Sequence, residues 1–328
     1  MLQGLDPGII AHPAALPEVR STVQSRRGST FKGIVTLLLM GVNVVFWVPI
    51  LMVVALAKLL VPVAAWRRWA SALMIRIAQA WISCNGAIFA LMGVLRLEVE
   101  GVDGLKPDSW YLVLSNHRSW VDILVLQKAF NHRIPFLKFF LKQELIWVPF
   151  LGLAWWALDF PFMKRHSATY LQQHPEARGE DLEATRKACE RFAQMPTSVM
   201  NFVEGTRFTA AKHRASKAPY RHLLRPRPGG VAFVLSAMGS MMQSVLDVTL
   251  AYSEPSPSLW DFCCGRVGTV RMHVQQRPIE AWSTSGDYGA ESKLRAQYKD
   301  WLATLWTEKD ARLDRMLAGA PAAKDPAP

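Results

Sequence analysis

Two long apolar stretches open the chain, and alternating strand-like and helix-like patterns follow them. Ile34 to Ala57 contains no charged residue. It is long enough to cross a hydrocarbon core as a helix, for which about 20 residues suffice. Asn43 and Pro49 interrupt it, and because a proline kinks a helix, a re-entrant or interfacial hairpin stands beside a span as a reading. Trp69–Leu95 is apolar again but carries Arg76 and Asn85. It reads as a second membrane-associated helix nearer the interface, with a core helix of the folded part as the alternative. Trp66 and Trp69 beside Arg67 and Arg68 suit an interfacial anchor. Cations flank the first stretch on both sides, with Arg26, Arg27 and Lys32 before it and Lys58, Arg67 and Arg68 after it, so the positive-inside rule assigns no orientation.

Beyond Arg96 the period changes. Arg96–Glu100 and Tyr111–Ser115 read as strands, Ser119–Phe130 as a helix, and Ser198–Val203, Ser244–Ala251 and Arg266–Gln275 as further strands. A helix is expected over Asp181–Ala193. Strands separated by helices predict an α/β fold, a mixed sheet flanked by helices with an N-terminal membrane-associated helical segment. Near the end, Leu294, Tyr298, Trp301, Leu302, Leu305 and Trp306 share one helical face and are expected to pack on the domain rather than on a membrane. The resulting division is a flexible tail over 1–32, membrane-associated helices over 33–95, a catalytic domain over 96–285, an amphipathic helix over 286–318 and a disordered tail over 319–328.

Composition narrows the partners. The chain has 38 basic and 26 acidic residues, a net +12, and is 51% hydrophobic with 13 tryptophans. Such an excess suits phosphate-bearing substrates or an anionic membrane surface. Nucleic acid is not expected, since the basic residues are scattered and neither zinc-finger spacing nor a recognition helix is present. The four cysteines form no C-x-x-C pair, and adjacent Cys263 and Cys264 bridge only with strain, so free thiols in a reducing compartment are expected. The first apolar stretch is too long for a signal-peptide core.

The candidate chemistry centres on YLVLSNHRSWVD, residues 111–122. Residues five apart on a continuous helix are rotated by roughly 140°, at about 100° per residue, so His117 and Asp122 meet only if the chain bends between them. A strand ending at Ser115 and a helix capped by Ser119 supply that bend and put Asp122 in the first turn. A histidine held by a carboxylate is a general base. No G-x-S-x-G stretch supplies a serine nucleophile, so the hydroxyl His117 activates can belong to the substrate; a locally capped strand-end histidine is the bland alternative. Two more stretches add cations. In NFVEGTR, residues 201–207, Gly205 permits a tight turn and Arg207 supplies charge to an oxygen-rich ligand, although such a turn alone is commonly a simple chain reversal. Over 135–165, an apolar run with three tryptophans is rimmed by Lys138 and Lys142 and closes on the basic pair Lys164 and Arg165, an arrangement fit for an acyl chain with its charged head group.

Taken together and in this order, NHRSWVD at 116–122, FMKR at 162–165 and FVEGTR at 202–207 resemble the first three motifs of the glycerophospholipid acyltransferases, the group containing 1-acylglycerol-3-phosphate acyltransferase. The resemblance covers about Arg96 to Tyr252. It implies transfer of a fatty acyl group from acyl-CoA or acyl carrier protein to a lysophospholipid hydroxyl, with no cofactor and no metal. His117 would be the base and Asp122 its partner, while Lys164, Arg165, Glu204, Gly205, Thr206 and Arg207 would shape the phosphate site. Many members carry a proline in a fourth motif where this chain has VLDVTL with Asp247. That departure and FTAAKH at 208–213 are similar to the branch of lysocardiolipin-type enzymes and bacterial membrane acyltransferases. Lysophosphatidic acid is the first expected acceptor, lysocardiolipin or lysophosphatidylglycerol the second, and the expected location is a bacterial inner membrane with the site at the cytoplasmic face. Backbone amides near Ser119 are expected to stabilise the oxyanion. A membrane-anchored lipid hydrolase and a non-catalytic lipid-binding protein are the rivals.

Overall fold

The computed structural model describes residues 19–163, 189–193, 195–253, 256–286 and 288–318. Helix α1 is Val19–Leu60 and α2 is Ala64–Met92. Strand β1 (Arg96–Glu100), β2 (Tyr111–Ser115) and helix α3 (Val121–Phe130) follow. Next come β3 (Leu137–Phe139), β4 (Leu141–Lys142), a short 3-10 turn, α4 (Leu151–Ala157) and β5 (Phe162–Met163). The chain continues through β6 (Ser198–Phe202), α5 (Ala210–Ser216), α6 (Gly229–Met238) and β7 (Ser244–Tyr252). It ends with α7 (Leu259–Cys263), β8 (Thr269–Arg277) and α8 (Ser292–Leu317).

Six strands form one sheet in the order β1-β8-β7-β2-β6-β3, in which only β7 and β8 run antiparallel. The mixed sheet flanked by helices is therefore present. Its central strands are buried on both faces, which is why β2 and β7 read as unbroken apolar runs. Alternation along them divides the core. Tyr111, Val113, Leu246, Val248, Leu250 and Tyr252 face a layer that includes α1, α2, α3, α4 and α7. Leu112, Leu114, Val245 and Ala251 face α6 and α8.

The helix α1 begins at Val19, inside the stretch expected to be a polar tail, because no proline or acidic run stops it before Ile34. Pro49 lies inside α1, which runs on to Leu60. Asn43 finds its partner across the hairpin: its amide donates to Asn85 Oδ1 at 2.9 Å and to the Trp81 carbonyl at 3.2 Å. A buried amide is expensive unless bonded, so Asn43 and Asn85 fix how the two helices face one another. Trp66 closes the turn, donating from Nε1 to the Ala57 carbonyl at 3.0 Å and stacking on Trp69. One face of α1 enters the core through Val48, Leu51 and Ala55, while Leu38, Val42, Val53 and Leu60 on the rest of it stay well exposed.

Two points on this helix, Ser29 and Lys58, are tied to the sheet-bearing part. Ser29 donates to the Cys264 carbonyl at 3.2 Å and accepts from Arg266. Lys58 pairs with Asp159 at 3.2 Å, just beyond α4. The C-terminal helix packs as its periodicity predicts, burying Leu294, Tyr298, Leu302, Leu305 and Trp306. Residues 189–192 are helical and Ala193 is in a turn, while residues 181–188 of the expected helix, the earliest part of the N-terminal tail and the tail over 319–328 lie outside the described residues.

Candidate active site

The site stands at the C-terminal ends of β2 and β6, where ligands of open α/β sheets collect. Leaving β2, Asn116 turns inward and takes the place of a strand neighbour. Its side chain donates to the Leu250 carbonyl and accepts the Leu250 amide, each at 2.9 Å, clamping the strand end to β7. The next residue is thereby aimed out of the sheet. His117 Nδ1 lies 2.7 Å from Asp122 Oδ2, so the pair expected from the bend is formed. The same carboxylate oxygen also accepts the amides of Arg118 and Ser119 at 2.7 and 2.9 Å, and its other oxygen accepts the Tyr252 hydroxyl at 2.5 Å. Asp122 is fully buried and is one residue into α3, whose N-cap position is Trp120 rather than Ser119. Ser119 still serves the helix start, accepting the Val121 amide at 3.1 Å and donating to the Pro257 carbonyl.

These bonds narrow one expectation. Backbone amides near Ser119 were expected to stabilise the oxyanion, and those of Arg118 and Ser119 are engaged by Asp122. A carboxylate buried without water must collect donors, and the nearest are the amides of its own turn.

With Nδ1 engaged, Nε2 is the ring nitrogen left to face a cavity of about 290 Å³. His117 lines it together with Trp120, Lys142, Gly205, Thr206, Arg207 and Lys212, and its apolar wall includes Ile123, Phe139, Leu145, Met200 and Phe202. The imidazole stacks on Phe202 with centroids 3.9 Å apart, and Phe202 in turn stacks on Phe139. Ring, cations and apolar wall share one chamber. Arg207 sits over the Trp120 ring at 5.1 Å, and Lys212 donates to Thr206 Oγ1 at 2.6 Å and to the Arg207 carbonyl at 3.2 Å. No serine or cysteine is among the described residues lining this cavity.

Glu204 sits elsewhere than a ligand-binding carboxylate would. It is buried, and its two oxygens accept the amides of His117 at 3.0 Å and Leu224 at 2.9 Å. Glu204 thus fastens the loop that carries His117 to the segment after α5. Burial pushes its carboxyl up to about 7, against the pull of those two amides and of Arg118. Gly205 beside it has φ 69°, a left-handed turn in which a Cβ would also come within 3.1 Å of the Arg227 side chain. Arg118 points away from the cavity, donating to the His222 carbonyl at 2.9 Å and covering the Phe208 ring at 4.4 Å. Lys164 and Arg165 lie outside the described residues.

Reading the sequence missed Lys212, Tyr252 and Asn116. Lys212 lies in the quoted FTAAKH stretch, so its nearness to Arg207 was within reach. Tyr252 had no local signal, because it meets Asp122 from 130 positions further on. Asp247, singled out for replacing a proline, does not line the cavity. Its side chain faces α8, paired with Lys309 at 2.5 Å and Arg312 at 3.3 Å.

The acyltransferase family matches residues 96–253. Over 181 residues the chain is 31% identical to 1-acyl-sn-glycerol-3-phosphate acyltransferase gamma of Mus musculus, covering 52% of this chain and 43% of that one. Against 1-acyl-sn-glycerol-3-phosphate acyltransferase 2 of Arabidopsis thaliana it is 26% identical over 221 residues, covering 63% and 52%. The chain spans about half the length of these curated relatives. The solved structure of the 1-acyl-sn-glycerophosphate (LPA) acyltransferase from Thermotoga maritima aligns with a TM-score of 0.50 at 14% identity, covering 86% of this chain and 98% of that one. That likeness concerns the fold.

Proposed function

This chain belongs to the glycerophospholipid acyltransferases of the 1-acylglycerol-3-phosphate acyltransferase-like kind, and from that premise we propose that it moves a fatty acyl group from a thioester to the free hydroxyl of a lysophospholipid. The observation carrying this reading is the His117–Asp122 pair at 2.7 Å on the wall of a chamber that holds cations and an apolar surface but no serine or cysteine among its described lining residues.

His117 Nε2 takes the proton of the acceptor hydroxyl while Asp122, bonded to Nδ1, steadies the imidazolium. The acceptor oxygen attacks the thioester carbon, the new C–O bond forms and the C–S bond breaks. The imidazolium returns its proton to the departing thiolate. No covalent acyl-enzyme and no cofactor enter this scheme. Lys142, Arg207 and Lys212 give the chamber a positive potential that suits both the acceptor's phosphate and the charge developing on the carbonyl oxygen. Arg165 and Lys164 belong to the same proposed phosphate site by motif. Lysophosphatidic acid is the proposed acceptor, in keeping with the names of the relatives.

The hairpin of α1 and α2 supports work at a membrane, because a large exposed apolar surface calls for a lipid or protein cover. Ser29 and Lys58 are both anchored to the sheet-bearing part, and the helix between them measures about 44 Å at 1.5 Å per residue. A helix held at two such distant points runs along the catalytic part between them rather than away from it. The tethering therefore favours an interfacial hairpin over a span. All four cysteines are free thiols, which suits a site on the cytoplasmic side of a bacterial inner membrane.

The test uses purified protein with palmitoyl-CoA and a panel of lysophosphatidic acid, lysocardiolipin and lysophosphatidylglycerol. Transfer is expected, with the highest kcat/KM for lysophosphatidic acid. Release of free fatty acid at the same rate without any acceptor would establish the hydrolase instead.

A further inference from the structure

Between Glu204 and Asp247 the chain holds seven arginines and lysines and no acidic residue. Arg207, Lys212, Arg214, Lys217, Arg221, Arg225 and Arg227 are all exposed. They start at the rim of the catalytic chamber, which Arg207 and Lys212 line, and run on over α5 and the loop behind it. Among the described residues, the carboxylates that meet this run are Asp310 and Asp314 of α8, at Arg221 and His222. Arg225 is turned to the chain itself, bonding the Ser216 and Lys217 carbonyls. Seven like charges in one exposed segment repel one another and raise the free energy of the compact state. The loop's apolar anchors are Tyr220 and Leu223.

The placement of that anchor decides the partner. Tyr220 and Leu223 pack with α6 and α8, whereas the exposed apolar face of α1 belongs to the opposite layer of the sheet. Beyond the chamber rim the basic segment is thus carried by the layer opposite to the exposed apolar face of α1, so a membrane met through that face leaves Arg214 to Arg225 uncovered. A nucleotide gathers its phosphates at one end, but these cations are spread along a helix and a loop. An extended acidic protein face complements that spread better.

We infer that the segment from Arg207 to Arg227 is the docking surface for an acidic acyl carrier protein that delivers the thioester to the chamber beside His117. The inference rests on the transferase reading and names its donor. Arg214 and Lys217 are the residues to change, because both are exposed and neither lines the chamber.

Full-length protein and its Arg214→Glu/Lys217→Glu variant are assayed with palmitoyl-acyl carrier protein and with palmitoyl-CoA, lysophosphatidic acid being the acceptor in both. Lys293→Glu/Lys299→Glu on the exposed side of α8 serves as the charge control, and thermal melts check folding. Expected is a rise of about tenfold or more in KM for the carrier-protein donor, with kcat unchanged and the palmitoyl-CoA KM unaltered. The wild-type KM for that donor also rises with salt, and the variant's does so less. An unchanged carrier-protein KM overturns the inference, as does a rise confined to palmitoyl-CoA or a loss of binding to anionic vesicles with both donor constants intact. Should the wild type transfer from neither donor, the transferase reading fails first. Direct binding of holo-acyl carrier protein by calorimetry then still decides the surface, and absence of heat overturns it.

Discussion

Asp122 and Asp247 are both completely buried, yet the protein surrounds them in opposite ways. Asp122 is held by two backbone amides, a tyrosine hydroxyl and one histidine. Asp247 is wrapped by Lys309, Arg312 and Arg277. Burial opposes its charge, but those three cations outweigh it and hold the carboxyl below the usual range. Paired cations neutralise a buried carboxylate and leave it nothing to lend. Uncharged donors stabilise the anion while leaving its charge available to an imidazolium that forms during a reaction. The first arrangement locks α8 to β7, and the second leaves a base at the rim of a chamber.

The contrast breaks most sharply at His117. His117→Ala is expected to lower kcat by about 10²–10⁴-fold, the span attributed to one positioned acid–base group, while melting temperature and membrane binding stay as they are. Near-normal turnover in the purified assay would end the assignment. Asp247→Ala should do the reverse. Removing the carboxylate that pairs with both Lys309 and Arg312 takes a buried counter-charge from each, which costs about 3–5 kcal/mol, read as a large fall in melting temperature. The fraction still folded keeps its kcat, because Asp247 does not reach the chamber. A kcat loss matching that of His117→Ala would mean that the two aspartates are not separate devices.

Tyr252→Phe sharpens the comparison on the catalytic side. The ring stays in its apolar layer and only the hydroxyl donor to Asp122 goes. A hydrogen bond to a charged group contributes about 1.5–3 kcal/mol, so kcat should fall at least tenfold with both KM values steady. A change in KM alone would assign Tyr252 to substrate binding rather than to positioning.

The smallest effect concerns Glu204, which is held by two amides like Asp122 but is raised to about 7 by burial. A carboxyl raised above its ordinary 4.5 is favoured in the fold while protonated. Its contribution to stability is therefore full below about 4.5 and is lost as pH climbs to about 7. In Glu204→Gln the stability difference between those two pH values should shrink, measured by denaturant melts at each. An unaltered slope would show that another group sets it.

Much of the sheet was legible because buried strands declare themselves as short runs of apolar and β-branched residues. Arg96–Glu100 and Tyr111–Ser115 lie where the pattern puts them, the other three expected strands differ by a few residues at their ends, and the short edge strand β3 and the β4–β5 pair were not expected. The His117–Asp122 pair was legible for a different reason. Its five-residue spacing and the strand-to-helix change between them are local geometry. The fate of Ser119 was not, since whether a turn's amides serve an oxyanion or a carboxylate depends on which acceptor is nearer in space. Asn43 interrupts an apolar helix along the chain, and its partner Asn85 lies across the hairpin.

What this sequence determines alone is periodicity, charge and spacing: five of the six strands of the main sheet, the apolar stretches of the hairpin, the base and its carboxylate, and an acid-free run of cations after Glu204. These are properties of neighbours along the chain, governed by backbone geometry. The tertiary structure alone decided that Tyr252 completes the Asp122 shell and that Glu204 braces His117 rather than facing the chamber. It also decided that Asp247 belongs to α8 and that α1 is tied down at Ser29 and Lys58. Each of those outcomes depends on which buried polar groups are brought together, because a desolvated donor or charge takes whatever partner the fold delivers to it.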